Sequence, residues 1–280
     1  MKRIWQMTCG LALLFILAPA QANAQRKPKI KGSRVPVEVR QDLPGFHTLR
    51  LADPLEVEVR MGAAPGYLLE VDDNLVDVLR LEVRDSVLQV SSFYNITASK
   101  ALKIVVYANQ LNAVEALDGE VFSENPVTTD LLTVVARGGA RVNLRARAAW
   151  FDLFMEDSSR ADLNVEADSV SLRLGARADA VLYTVTDGLS ATLAQNAGLT
   201  LEGLSVFSRV EGGDNTSLKA ARLHSDQLEL RLAGSATARV QARQETLLDL
   251  SGQTRTYLYG QPAIQLQRFT DRAELHKEPE

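Results

Sequence analysis

From Leu117 to Phe269 the chain repeats one pattern of apolar and polar positions. A short apolar–x–apolar run meets a polar break of about five residues, and another apolar–x–apolar run follows. The last apolar residues before the breaks are Leu117, Ala136, Met155, Leu174, Leu193, Val210, Leu232, Leu250 and Phe269, with steps of 19, 19, 19, 19, 17, 22, 18 and 19 residues. The breaks carry turn formers, as in Arg137-Gly138-Gly139-Ala140-Arg141 and Glu156-Asp157-Ser158-Ser159-Arg160. Gly, Asn, Asp and Ser tolerate the backbone angles that tight turns need. On either side the alternation has period two, as in Leu132, Val134, Ala136 and then Val142, Leu144, Ala146. Alternate strand residues face opposite sides, so one set per repeat points inward.

A constant step near 19 predicts a solenoid, since sandwiches and barrels impose no fixed period. Stacking repeats about 4.8 Å apart satisfies the backbone of each through its neighbours. The expected architecture is all-β: a single-domain parallel β-solenoid, right-handed by the usual crossover rule, with about 19 residues per coil. Residues 111–269 carry the repeats. Residues 46–110 differ, with alternating runs at Leu49, Leu51 and Leu55, Val57, Val59 divided by Pro54. Asp72-Asp73-Asn74 offers an N-cap for a short helix from Leu75 to Leu79. This region is expected as a β-rich N-terminal cap with that one helix. Residues 25–45, with three prolines and a basic cluster, read as a linker. The charged C-terminal segment 270–280 is expected to guard the other end, with 276–280 as its tail.

Lys2 and Arg3, the apolar run from Leu11 to Ala18 and Ala22-Asn23-Ala24 have the layout of a secretory signal, residues 1–24. That run is too short to span a bilayer, and no later stretch approaches the required length. The protein is therefore expected to be exported, to the periplasm or to the cell surface and outer membrane. The single cysteine, Cys9, precedes the apolar run, so a mature chain holds none and must rely on its core. Cleavage after Ala24 removes two cations and no acid, taking the net charge from −4 to −6. A mildly acidic chain argues against nucleic acid as partner.

Candidate chemistry is sparse. His224-Ser225-Asp226 has the letters of a triad, but neighbouring strand residues point to opposite faces. No spacing suits zinc, and no cofactor or metal is expected. Asp118, Glu120, Glu156, Asp157, Asp179, Asp187 and Asp214 lie in or near breaks. Stacked coils could pair such acids for polysaccharide cleavage, or leave them as solvated turn residues. Arginines at Arg137, Arg141, Arg145, Arg147, Arg160, Arg173 and Arg177 could grip an anionic glycan or pair with neighbouring acids. Trp150, Asp152 and Phe154 share the face opposite Phe151, Leu153 and Met155, which makes exposed aromatics candidate contacts. Trp150, Phe154, Arg160, Glu156 and Asp157 are the candidate partner-binding residues, with an envelope glycan or protein as partner.

The segments FHTLRLADPLEVEVRMG (46–62), YLLEVDDNLVDVLRLEVRDSVLQV (67–90) and LKIVVYANQLNAVEALDG (102–119), the repeats, and YGQPAIQLQ (259–267) together resemble the bacterial head GIN domain family, named for auto-transporter adhesins. The resemblance covers about 46–275. Members usually carry Ser-Gly-Ser-Gly at each break, of which this chain keeps Gly138-Gly139, Gly212-Gly213, Gly234-Ser235 and Ser251-Gly252. The resemblance implies an extracytoplasmic β-helix-like fold and no established enzymatic activity. A true autotransporter needs an outer-membrane barrel of its own, and the repeats leave no room for one here. The expected function is that of an exported, non-catalytic, adhesin-like envelope protein. A polysaccharide-active enzyme and a purely structural periplasmic module stand as alternatives.

Overall fold

The computed structural model describes residues 27–279; the signal at 1–24 lies outside the described residues. The described chain is a parallel β-solenoid. Five consecutive rungs, Arg141–Met155, Arg160–Leu174, Asp179–Leu193, Gly198–Gly212 and Ser217–Leu232, stack in parallel with partners 19 or 20 residues apart. Each rung is one continuous strand that bends in its middle, not two short strands. In Arg141–Met155 the buried residues are Val142, Leu144 and Ala146 and then Phe151, Leu153 and Met155. The inward set thus changes from even to odd numbers at residues 147–150, where the strand turns a corner and begins the second wall of the core.

The ladder corrects two positions of the repeat. Leu193 pairs with Gly212, not Val210, and the residue aligned with Ala136 is Ala116, not the exposed Leu117. The column then reads Ala116, Ala136, Met155, Leu174, Leu193, Gly212, Leu232, Leu250, Phe269. Hydropathy passes over Gly212 because its place in the core is filled by neighbours: a Cβ there would sit 3.0 Å from Leu232 Cδ2 and 2.9 Å from Thr216 Oγ1.

From Ala136 onward each tight turn follows one plan. Two residues past that column sits one with positive φ: Gly138, Asp157, Ala176, Gln195, Asp214, Gly234, Gly252 and Asp271. Two residues further comes a small buried one, such as Ala140, Ser159, Ala178, Ala197 or Thr216. Its N–H closes the turn on the carbonyl three residues back, as from Ala140 to Arg137 at 3.0 Å and from Ala178 to Gly175 at 3.1 Å. The turns also stack, with Ser158 N–H donating to Gly138 and Arg177 N–H to Asp157 in the rung before. The core needs small side chains here because the backbone folds directly over them.

The solenoid continues below residue 111 in permuted order. Ala113–Ala116 lies on Thr48–Leu51, which lies on Val87–Ser92, all in parallel. On the other wall, Glu120–Phe122 lies on Glu56–Met61, which lies on Leu102–Ala108. The region expected as a cap therefore contains solenoid layers itself. Closure comes from antiparallel strands: Leu79–Arg84 on Val87–Ser92, and Gly66–Asp72 on Leu102–Ala108.

Residues 25–45, expected as a linker, are built into this end where they are described. Lys29–Lys31 pairs with Asn95–Ala98, and Pro36–Asp42 runs antiparallel to Gly66–Asp72. Pro36 stands first in an edge strand, where its missing N–H is harmless. The short helix is a 3-10 turn, Asp73–Val78, and Asp72 does not cap it with its side chain. The buried Asp72 carboxylate instead accepts from the N–H groups of Arg34 (3.2 Å), Lys100 (3.0 Å) and Ala101 (3.2 Å). Those bonds, led by that from Lys100, hold its carboxyl below the ordinary carboxylate range against the opposing effect of burial.

Candidate partner-binding surface

The corner at the middle of each rung presents side chains outward, and hydroxyls on its inner side fix the bend. Thr186 Oγ1 donates to the carbonyls of Gly188 (3.0 Å) and Asp168 (3.1 Å). In the next two rungs Ser205 donates to Phe207 (2.9 Å) and Ser225 to Gln227 (2.8 Å). These bonds satisfy carbonyls that the bend withdraws from the ladder. The residue after the bend is then turned to solvent. Leu131, Trp150, Ser169, Gly188 and Phe207 form that outward column, and Trp150 is 61% exposed.

Beside this column runs an open groove of about 780 Å³ that crosses several rungs. Its floor is apolar, with exposed Val185, Leu204 and Val206. An ion pair marks each end, Arg147 with Glu166 at 3.0 Å and Arg243 with Asp226 at 3.8 Å. Asp168 and Asp187 stand on adjacent rungs along the wall. His224 also lines it, with a buried Nδ1 that has no hydrogen-bond partner. Ser225 faces the core, where it donates to Gln227 and to Ser208, so His224, Ser225 and Asp226 form no relay. Among the described residues no group of three His, Cys, Asp or Glu is placed to hold a metal ion.

The five residues singled out from sequence do not converge. Trp150 stands at the corner. Phe154 lies half-buried at the turn end of the second wall, with the Arg173 guanidinium 4.9 Å from its ring centre. Glu156, Asp157 and Arg160 belong to the tight turn, roughly 20 Å from Trp150 along an extended strand. Glu156 pairs with Arg137 at 3.1 Å. Asp157 occupies the positive-φ position, and its Oδ2 accepts from the Gly138 N–H at 2.9 Å in the rung before. Arg160 lies in register between Arg141 and Asp179. Arginines mostly pair one rung away, as Arg137, Arg147 and Arg268 do.

Sequence reasoning missed the groove, because its residues alternate with core residues and look like ordinary outward positions. One signal was available. In Ala180-Val181-Leu182-Tyr183-Thr184-Val185 both faces of the strand are apolar, and Val181, Tyr183 and Val185 are exposed.

Residues 45–262 match the family model described as "Putative auto-transporter adhesin, head GIN domain". No curated protein matches. Among solved structures, a putative adhesin from Parabacteroides merdae superposes with a TM-score of 0.68 at 14% identity, covering 90% of this chain and 99% of its own. A putative adhesin from Parabacteroides distasonis gives 0.68 at 16% identity, over 89% and 99%. A putative lipid binding protein from the same organism gives 0.59 at 16%, over 89% and 96%. At these identities the likeness is one of fold.

Proposed function

Since the chain belongs to the putative auto-transporter adhesin, head GIN domain family, we propose that it is an exported, non-catalytic cell-envelope protein that binds a surface glycan or protein. The observation that carries this reading is the corner face: exposed Trp150 beside a groove with an apolar floor and charged ends. Exposed aromatics rimmed by polar groups are the usual composition of a contact surface. Sugar rings and partner side chains alike can lie on such a face. The turn residues Glu156, Asp157 and Arg160, and Phe154 at the turn end of the second wall, would be secondary contacts, since Asp157 and Glu156 already hold neighbouring rungs.

A glycan array and an envelope-protein pull-down with the purified chain test this. Binding above background that drops about tenfold or more in Trp150→Ala, at unchanged thermal stability, is expected. Absence of any ligand in both screens overturns it. Asp168 and Asp187, neighbours along the groove wall, favour a second reading as a polysaccharide-active enzyme. Release of new reducing ends from envelope glycans, abolished by Asp187→Asn, would replace the first reading with that one.

A further inference from the structure

A second pocket, sharing no residue with the corner groove, is built almost wholly of charged and polar side chains. Across the layers that close the rod, Glu115, Arg50, Gln89 and Glu82 stand in register on adjacent strands. Arg80 and Arg84 flank Glu82 on its own strand, Leu79–Arg84. Alternate strand residues share a face, so the three arginines reach the same side. With Asp85, Gln89 and Ser91 they line a pocket of about 280 Å³.

Its donors are held in place but not used up. The Arg80 guanidinium lies 3.8 Å over the Phe93 ring. That contact fixes its plane and leaves its N–H groups pointing outward from the edge. Among the described residues those groups make no hydrogen bond, and the Glu82 carboxylate stands 3.8 Å away. Arg50 commits its Nε to Glu115 at 2.6 Å, from outside the pocket, and Arg84 one Nη to Glu82 at 2.7 Å. Their other N–H groups, and the side chains of Gln89 and Ser91, have no partner among the described residues.

The mixture of groups selects a ligand. Planar N–H forks match a carboxylate, while Glu82 and Asp85 accept from hydroxyl groups. A bare anion satisfies the first set and meets the two acids. A neutral sugar satisfies the second and leaves the forks idle. We propose that this pocket binds one uronate unit of an acidic glycan. Its carboxylate lies on the unused N–H groups of Arg80 and Arg50, and its hydroxyls meet Glu82, Asp85 and Gln89. The volume is at the small end of the roughly 300–1,000 Å³ of ligand sites, which suits one sugar unit and not a chain. The site stands apart from the corner-face reading and does not depend on it.

Titration of the full exported chain with sodium glucuronate, followed by NMR of the arginine Nε–H signals, tests this. Saturable binding that shifts the signals of Arg80 and Arg50 is expected. Glucose, which lacks the carboxylate, and acetate, which lacks the ring, should each bind about tenfold more weakly or worse. Arg80→Gln should raise the dissociation constant about tenfold or more, and Phe93→Leu about threefold, by releasing the guanidinium plane. Arg80 is 48% exposed, so the variant should keep the wild-type melting temperature. Absence of saturable binding by glucuronate overturns the proposal. So does acetate that binds as tightly as glucuronate, which makes this an anion site only. So does glucuronate binding that survives Arg80→Gln, whether or not Trp150→Ala removes it.

Discussion

Individual side chains matter here mainly through what the rung before and the rung after allow. Gly203 has φ +114 on the inner face of its strand, and a Cβ would run into the Thr184 carbonyl oxygen of the previous rung. Gly203→Ala is expected to cost about 3 kcal/mol, combining backbone strain with the forced opening of that contact. Urea denaturation reads this directly. The turn column offers the opposite case. Ala176 adopts φ +54 where Gly252 and Gly234 stand in later rungs. Ala176→Gly should stabilise by about 0.5–1 kcal/mol, the left-handed penalty less the added entropy of the unfolded chain. Asp72 contributes a pH dependence of definite sign. Its folded carboxyl titrates below an ordinary aspartate, held there by the N–H groups of Lys100, Arg34 and Ala101. Its stabilising effect is complete above the ordinary aspartate range and is lost as the pH falls through the lower folded one. Denaturation midpoints followed from about pH 5 to pH 2 should therefore fall less steeply in Asp72→Asn, which should also be less stable at neutral pH.

Strands in this protein are stable through their columns more than through their own sequence. Leu153 touches the column of Val134 below and Leu172 above and is fully buried. Leu153→Ala is expected to cost about 2–5 kcal/mol, since stacked rungs on both sides resist collapse into the void. Ion pairs one rung apart are of lesser weight. Arg137 and Glu156 are more than half exposed, so Arg137→Ala should change stability by less than about 1 kcal/mol. The bend at the middle of each rung is a third kind of contribution. Removing the Thr186 hydroxyl with Thr186→Val leaves the Gly188 carbonyl without its side-chain donor. A loss of about 1–3 kcal/mol in thermal or urea denaturation is expected.

As a whole the molecule behaves as a one-dimensional stack, with a closed end and an open one. Stability in such stacks is a sum of rung and interface terms. The last rung, bearing Ile264, Leu266 and Phe269 at half exposure, should exchange its amide hydrogens faster than the middle of the rod. Amides of Arg160–Leu174, with a rung on either side, should be among the slowest. Hydrogen exchange followed by mass spectrometry distinguishes the two regions.

The repeat and the strand alternation follow from local pattern alone, because eight steps of about 19 residues admit a stacked coil and little else. The inward residues Val142, Leu144, Phe151, Leu153 and Met155 were legible for the same reason: period two assigns a face without knowledge of neighbours. Gly212 was not legible, since a missing side chain leaves no hydropathy signal and only the ladder to Leu193 and Leu232 reveals its column. The place of Thr48–Leu51 between Val87–Ser92 and Ala113–Ala116 was likewise hidden. Three short apolar strands are interchangeable by pattern, and long-range pairing selects their order. Trp150 could be recognised as outward-facing from its own strand. The groove built from Val185, Leu204 and Val206, with Arg147 and Arg243 toward its ends, exists only once successive rungs are in register. Local sequence specifies which way a side chain points. Which side chains become neighbours depends on stacking distant segments, and that register is a property of the folded chain.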